Sequence, residues 1–136
     1  ETGTKVTEVI ELKWQQIDCV KKTIYFEGTD KSQGRVVEIS EELASILVKK
    51  QKASGIVFKT YYREPFTRVK LTRAINEFKQ RGIYKKPWNL LDLRHSFAMN
   101  FLADGGSLRE LQYLMGHENI FDTRRLYGSI AKESLV

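Results

Sequence analysis

Very little in this chain could ligate a metal or close a disulfide. Its 136 residues include one cysteine, Cys19, and two histidines, His95 and His117. A lone cysteine excludes an intramolecular disulfide, and two histidines cannot assemble a zinc constellation. No cofactor and no metal are expected. No apolar run approaches the roughly 18 residues of a membrane span, and the opening stretch ETGTKVTEVIELKW lacks the form of a signal peptide. The expectation is a cytoplasmic protein without membrane contact. Internal repeats and low-complexity tracts are also missing. What remains, 41% hydrophobic and 11% aromatic residues, is ordinary for one globular domain of this length.

Acidic residues are scarce in one place. Residues 1–48 carry six Lys or Arg against nine acids, 49–86 carry twelve against two, and 87–136 carry five against six. The net charge of +6 therefore hides a local block: Lys49, Lys50, Lys52, Lys59, Arg63, Arg68, Lys70, Arg73, Lys79, Arg81, Lys85 and Lys86, interrupted by Tyr61 and Tyr62. Such a block attracts a polyanion by counterion release, without sequence preference. Nucleic acid is the expected partner.

Periodicity predicts an α+β fold, mostly helical, with a small three-stranded antiparallel sheet near the N-terminus. A helix over 5–13 carries Val6, Val9, Ile10 and Leu12. A short strand near 14–17 joins β-forming runs at 23–28 and 35–40. Ser40 reads as the N-cap of a helix over 41–53 with Leu43, Ala44, Leu47 and Val48 inward, ended by Gly55. After an apolar run at 56–58 and a polar, aromatic loop at 59–65, a helix over 68–81 buries Leu71, Ile75 and Phe78 and stops at Gly82. Gly105 and Gly106 end the next helix. Ser107 and Glu110 form a capping box for another, which stops at Gly116. A last short helix, capped by Asn119, delivers Tyr127.

The stretch from 90 to 127 holds the chemistry. On a wheel of 100° per residue, Leu90, Leu93, Phe97, Ala98, Phe101 and Leu102 fill one arc, with Arg94 in its middle and His95 at its edge. A guanidinium does not shed its charge, and burying one without a partner costs several kcal/mol. Arg94 must therefore meet an anion, either an internal carboxylate or a bound phosphate. His117 follows a helix stop, where a side chain is easily aimed into a cleft.

The pattern DLRHSFA at 92–98, a double glycine, LMGH at 114–117 and a tyrosine ten residues after that histidine resembles the tyrosine recombinase (phage integrase) family. The stretch at 2–18 resembles that family's first catalytic helix and following strand, and GRVVEIS the last strand of its small sheet. The resemblance covers the whole chain and implies a single catalytic domain over 1–136, taken from a longer protein whose N-terminal DNA-binding domain is missing. It implies that Tyr127 attacks a DNA phosphodiester to give a 3′-phosphotyrosine, that Arg94 stabilises the transition-state charge, and that His117 donates to the same phosphate or shuttles protons. Lys31 is the nearest match to the family's general acid on a sheet turn, with Lys22 as the fallback, and His95 is taken as structural. Double-stranded DNA becomes the partner, contacted by Lys59, Arg63, Arg68, Lys70 and Arg73, with a tetramer on paired sites and a monomer in isolation. The short tail after Tyr127 is the expected contact between neighbouring subunits.

Two departures stand out. The family's T-G-x-R-x-x-E arginine is Lys5 here, and the first histidine of its H-x-L-R-H pattern is Leu91. A lysine keeps the charge but loses the bidentate fork, and Leu91 keeps nothing polar. Either activity survives at a reduced level, or the domain binds DNA without cutting it.

Overall fold

The computed structural model describes residues 1–82 and 86–131. Lys85 and the tail after residue 131 lie outside the described residues. Within them, six α-helices accompany one antiparallel sheet of three strands that lie side by side in chain order, which is the α+β arrangement the periodicity predicts. None of these helices is long and apolar enough to cross a membrane.

The first helix is shorter than its pattern suggests. α1 spans Val6–Ile10, with Lys5 at the N-cap position. It stops because Leu12 and Trp14 enter the core, where the Val57 N–H donates to the Leu12 carbonyl at 2.8 Å and the Trp14 N–H to Gly55 at 3.0 Å. A 3-10 turn, Trp14–Gln16, takes most of the segment expected as a strand and leaves β1 as Ile17–Asp18. β2 is Thr23–Phe26 and β3 is Arg35–Glu38, paired so that Ile24 faces Val37 and Phe26 faces Arg35. The strand alternation turns Ile24, Phe26 and Val37 inward and Tyr25 and Val36 outward.

α2, Glu41–Lys50, starts at Ser40, whose hydroxyl accepts from the Leu43 N–H at 3.1 Å. It lays Ala44 and Leu47 on the sheet, completing a core with Leu12, Trp14, Ile17, Ile24, Phe26, Val37 and Ile39. Val48, expected inside, is exposed, because it lies about 100° round the helix from Leu47, at the edge of the face that Leu43, Ala44 and Leu47 turn to the sheet. The helix ends before Gly55, which sits in the following turn at φ +94°. α3, Arg68–Gln80, packs against α1 but buries no residue fully, and Phe78, expected inside, is 38% exposed. Its polar sequence supplies too narrow an apolar stripe to sink it deeper.

α4, Leu90–Ala103, α5, Leu108–Met115, and α6, Ile120–Tyr127, begin at Asn89, Ser107 and Asn119, each accepting a backbone N–H with its side chain. They enclose a second core of Ala98, Leu102, Leu111, Met115 and Tyr127. Leu93 belongs to the apolar arc of the wheel yet is exposed. Leu114 of α5 packs against the first core, so α5 joins the two halves.

Candidate functional site

Arg94 reaches the seam between these halves from the second turn of α4. Its Nη1 donates to the Gly3 carbonyl at 2.5 Å and its Nη2 to the Met115 carbonyl at 2.8 Å. The same Nη2 lies 3.2 Å from Nε2 of His117. Among the described residues Arg94 makes no ion pair with a carboxylate. Burial, followed by the charge of Arg35, lowers its basicity, and Glu8 offers a longer-range opposing pull.

The carboxylate of this neighbourhood belongs to a different arginine. Arg35, 1% exposed, donates from Nη1 and Nη2 to the two carboxylate oxygens of Glu8 at 2.7 and 2.9 Å, and from Nε to the Leu114 carbonyl at 2.7 Å. Its guanidinium also lies 4.9 Å from the centroid of Phe26. This fork ties β3 to α1 and to the end of α5. Burial opposes the Glu8 charge, but the Arg35 bonds, the Lys5 N–H and the Arg35 charge outweigh it and hold the carboxyl below its usual 4.5. Sequence reasoning missed Arg35 as a site-building residue. The signal was there in the alternation: with Val37 and Ile39 inward, position 35 shares their face.

His117 follows Gly116, whose φ of +67° ends α5 and turns the chain into the cleft. Its Nδ1 lies 2.8 Å from Oγ1 of Thr123, which is fully buried on α6. Because Arg94 donates to Nε2, that nitrogen holds the lone pair, so the neutral ring carries its proton on Nδ1 and donates to Thr123. Burial first, and the Arg94 charge second, push the imidazole down to about 4. In this arrangement Nε2 accepts rather than donates.

Tyr127 ends α6, with its ring in the second core. Its hydroxyl is 2.6 Å from Nδ1 of His95. Burial raises its ionisation above the usual 10.0, against the pull of nearby Arg94. Thus α4, α5 and α6 bring Arg94, His95, His117 and Tyr127 into one cluster.

The basic candidates divide. Lys5 donates from Nζ to the Lys31 carbonyl at 3.1 Å, which brings the β2–β3 turn to α1, while the Lys31 side chain is exposed. Burial, then Arg94 and Arg35, lower the Lys5 ammonium below 10.5, with Glu8 opposing. Lys22 instead pairs with Glu41 at the start of α2. A cleft of about 560 Å³ joins Lys5, Leu91 and Arg94 to Arg68, Thr72, Asn76 and Lys79 on α3. Arg73 shares the neighbouring groove along α3 with Arg68. Lys70 pairs with Glu64, and Lys59 and Arg63 lie on the 59–65 loop, where Lys59 bridges Pro65 and Arg63 adopts φ +62°. Lys79 also donates to the Trp88 carbonyl and sits 4.7 Å from that ring.

The model of the phage integrase family matches residues 1–134. Tyrosine recombinase XerC of Pediococcus pentosaceus is 28% identical over 98% of this chain, and XerD of Staphylococcus haemolyticus 24% identical over the same share. The chain spans about half the length of these relatives, 48%. Among solved structures, the catalytic domain of bacteriophage HP1 integrase aligns with a TM-score of 0.70 at 28% identity, covering 98% of this chain and 71% of that one. XerA recombinase aligns with a TM-score of 0.77 at 24% identity, covering 93% and 47%, a likeness of fold.

Proposed function

This chain belongs to the phage integrase family, and from that premise we propose that it carries the strand-cleaving centre of a site-specific DNA recombinase working through Tyr127. The observation that supports this most is the state of Arg94: half-buried, beside Lys5, and matched among the described residues by carbonyls and an imidazole while Glu8 is held by Arg35. A phosphodiester supplies the missing anion.

In the proposed reaction the Tyr127 oxygen attacks phosphorus, the 5′-oxygen leaves, and a 3′-phosphotyrosine keeps the energy of the broken bond for rejoining. Arg94 and Lys5 stabilise the charge growing on the non-bridging oxygens. As the phosphate draws Arg94 forward, Nε2 of His117 is released and takes a proton from solvent, so that the imidazolium keeps its Nδ1–H on Thr123 and donates from Nε2 to the phosphate. Lys31, on the turn that Lys5 touches, protonates the leaving oxygen. Arg68 and Arg73 track the DNA backbone along α3. The full protein acts as a tetramer on paired sites, and this domain alone is a monomer.

Leu91 and Lys5 support a second reading, DNA binding without cleavage. Leu91 is 57% exposed and lines the cleft beside Arg94, so the wall that faces the phosphate is apolar at that point. One experiment separates the two readings. A pool of nicked duplexes, randomised on both sides of the nick, is incubated with the protein, and covalent complexes are captured under denaturing conditions and sequenced. Wild type is expected to form an adduct that Tyr127→Phe does not, and Lys5→Arg and Leu91→His to increase its yield, each by up to about 100-fold. No adduct from wild type, with duplex retained in a native gel, leaves the binding-only reading, and an adduct from a restored variant alone assigns the loss to that position.

A further inference from the structure

His95 carries a consequence beyond the packing role expected of it. Its Nδ1 is 2.6 Å from the Tyr127 hydroxyl, with the two rings edge to face at 5.7 Å between centroids. Among the described residues no other side chain is hydrogen-bonded to that hydroxyl. The other imidazole of the cluster is already committed, one nitrogen to Arg94 and the other to Thr123. A phenol with its ring buried and its ionisation pushed upward attacks poorly until a base takes its proton.

We propose that His95 is the general base for Tyr127, accepting the phenolic proton on Nδ1 at the moment of attack. This deepens the phosphotyrosine reading and rests on it. As the Tyr127 oxygen–phosphorus bond forms, the O–H bond breaks and its proton passes to the Nδ1 lone pair. The bond from phosphorus to the 5′-oxygen breaks, and that oxygen departs with the proton assigned to Lys31. In rejoining, an incoming 5′-hydroxyl gives up its proton to the Lys31 amine left neutral by cleavage, its oxygen bonds to phosphorus as the phosphotyrosine bond breaks, and the His95 imidazolium returns its proton to Tyr127. The location suits this work: His95 and Arg94 are adjacent on one turn of α4, so the residue that deprotonates the nucleophile and the one that binds its target move as one rigid unit.

The test uses single-turnover cleavage of a nicked duplex recovered in the capture experiment. The amide of His95→Asn reaches the place of Nδ1 and holds the hydroxyl, but takes no proton. It is expected to slow cleavage about 100-fold or more while leaving duplex binding unchanged. The same loss is expected on a duplex with a 5′-bridging phosphorothiolate, whose sulfur leaves without protonation, whereas Lys31→Ala is slow only on the ordinary duplex. Imidazole in solution is expected to restore part of the rate of His95→Ala. Wild-type rates in His95→Asn overturn the proposal. So does rescue of that variant by the phosphorothiolate, which would make His95 an acid, or cleavage faster than wild type, which would make it a restraint. A readout independent of DNA is nitrogen-15 spectroscopy of the imidazole: a bare, hydrogen-bonded Nδ1 is expected, and a protonated Nδ1 overturns the assignment. Failure of wild type to form any adduct overturns the parent reading and the base with it, whereas an adduct with an unaffected His95→Asn overturns the base alone.

Discussion

Replacing Glu8 by glutamine would leave the Arg35 guanidinium charged, 1% exposed and without a carboxylate. Removing one partner of a buried pair costs about 3–5 kcal/mol, and urea denaturation of Glu8→Gln is expected to show a loss of that order. Acid should act through the same contact. Glu8 has a folded-state ionisation below 4.5, so the unfolded chain takes up its proton first as the pH falls. The stabilisation is complete above about 4.5 and is lost as the pH drops through the folded value. His117, held down at about 4, adds a loss in the same direction between the usual imidazole value of 6.5 and about 4. A thermal midpoint that stays flat from about pH 7 to pH 4 would contradict the His117 contribution, and one that stays flat on acidification below about 4.5 would contradict that of Glu8. At this scale the sequence was partly legible. Arg94 was readable because it interrupts the apolar arc of a helix, and His117 and Tyr127 were grouped with it through the resemblance to the family's motif spacing. Arg35 was hidden because its partner, Glu8, lies on another element, and a wheel or a strand pattern shows a face but never what crosses to it.

The turn between α5 and α6 places two members of the cluster, and its chemistry is unforgiving. A Cβ on Gly116 would lie 2.6 Å from Nη1 of Arg35 and 2.7 Å from Oγ of Ser32, at a φ of +67°. Gly116→Ala should therefore destabilise by more than the roughly 1 kcal/mol of left-handed strain alone and displace His117. Asn119 accepts the Phe121 and Asp122 N–H groups at 2.9 and 3.2 Å. Its replacement by alanine should cost about 1 kcal/mol, measured by the same denaturation, and loosen the helix that holds Tyr127. Helix ends of this kind were the most legible elements, since Ser40, Ser107, Gly116 and Asn119 act through their own local backbone. The length of α1 was not, because Leu12 and Trp14 leave the helix for hydrogen bonds to Gly55 and Val57, far along the chain.

For the molecule as a whole, the block of positive charge predicts how binding responds to salt. Each phosphate contact contributes a slope of about −0.9 to the logarithm of affinity against the logarithm of salt. Arg68→Gln and Arg73→Gln, both on the groove of α3, should each flatten that slope by about 1. Lys70→Gln should change it less, since its ammonium is already engaged by Glu64. Fluorescence anisotropy on a short duplex across a salt series measures all three, and equal slopes for all variants would remove α3 from the interface. The overall class and the small sheet were legible from periodicity, while the division into two cores was not, because both draw on the same kinds of apolar residue.

That division gives the cleft a second meaning. The sheet half and the helical half meet through α5 and across a polar seam, where Arg35 is fastened to Glu8 and Leu114 and Arg94 to Gly3 and Met115. An anion seated between Lys5, which is tied to the sheet's turn, and Arg94, on the helical side, would touch both halves at once. By linkage, whatever binds there preferentially in the folded state raises the melting temperature as its concentration rises. The substrate would then be a keystone as well as a reactant, and the domain would be at its most rigid when its cleft is full.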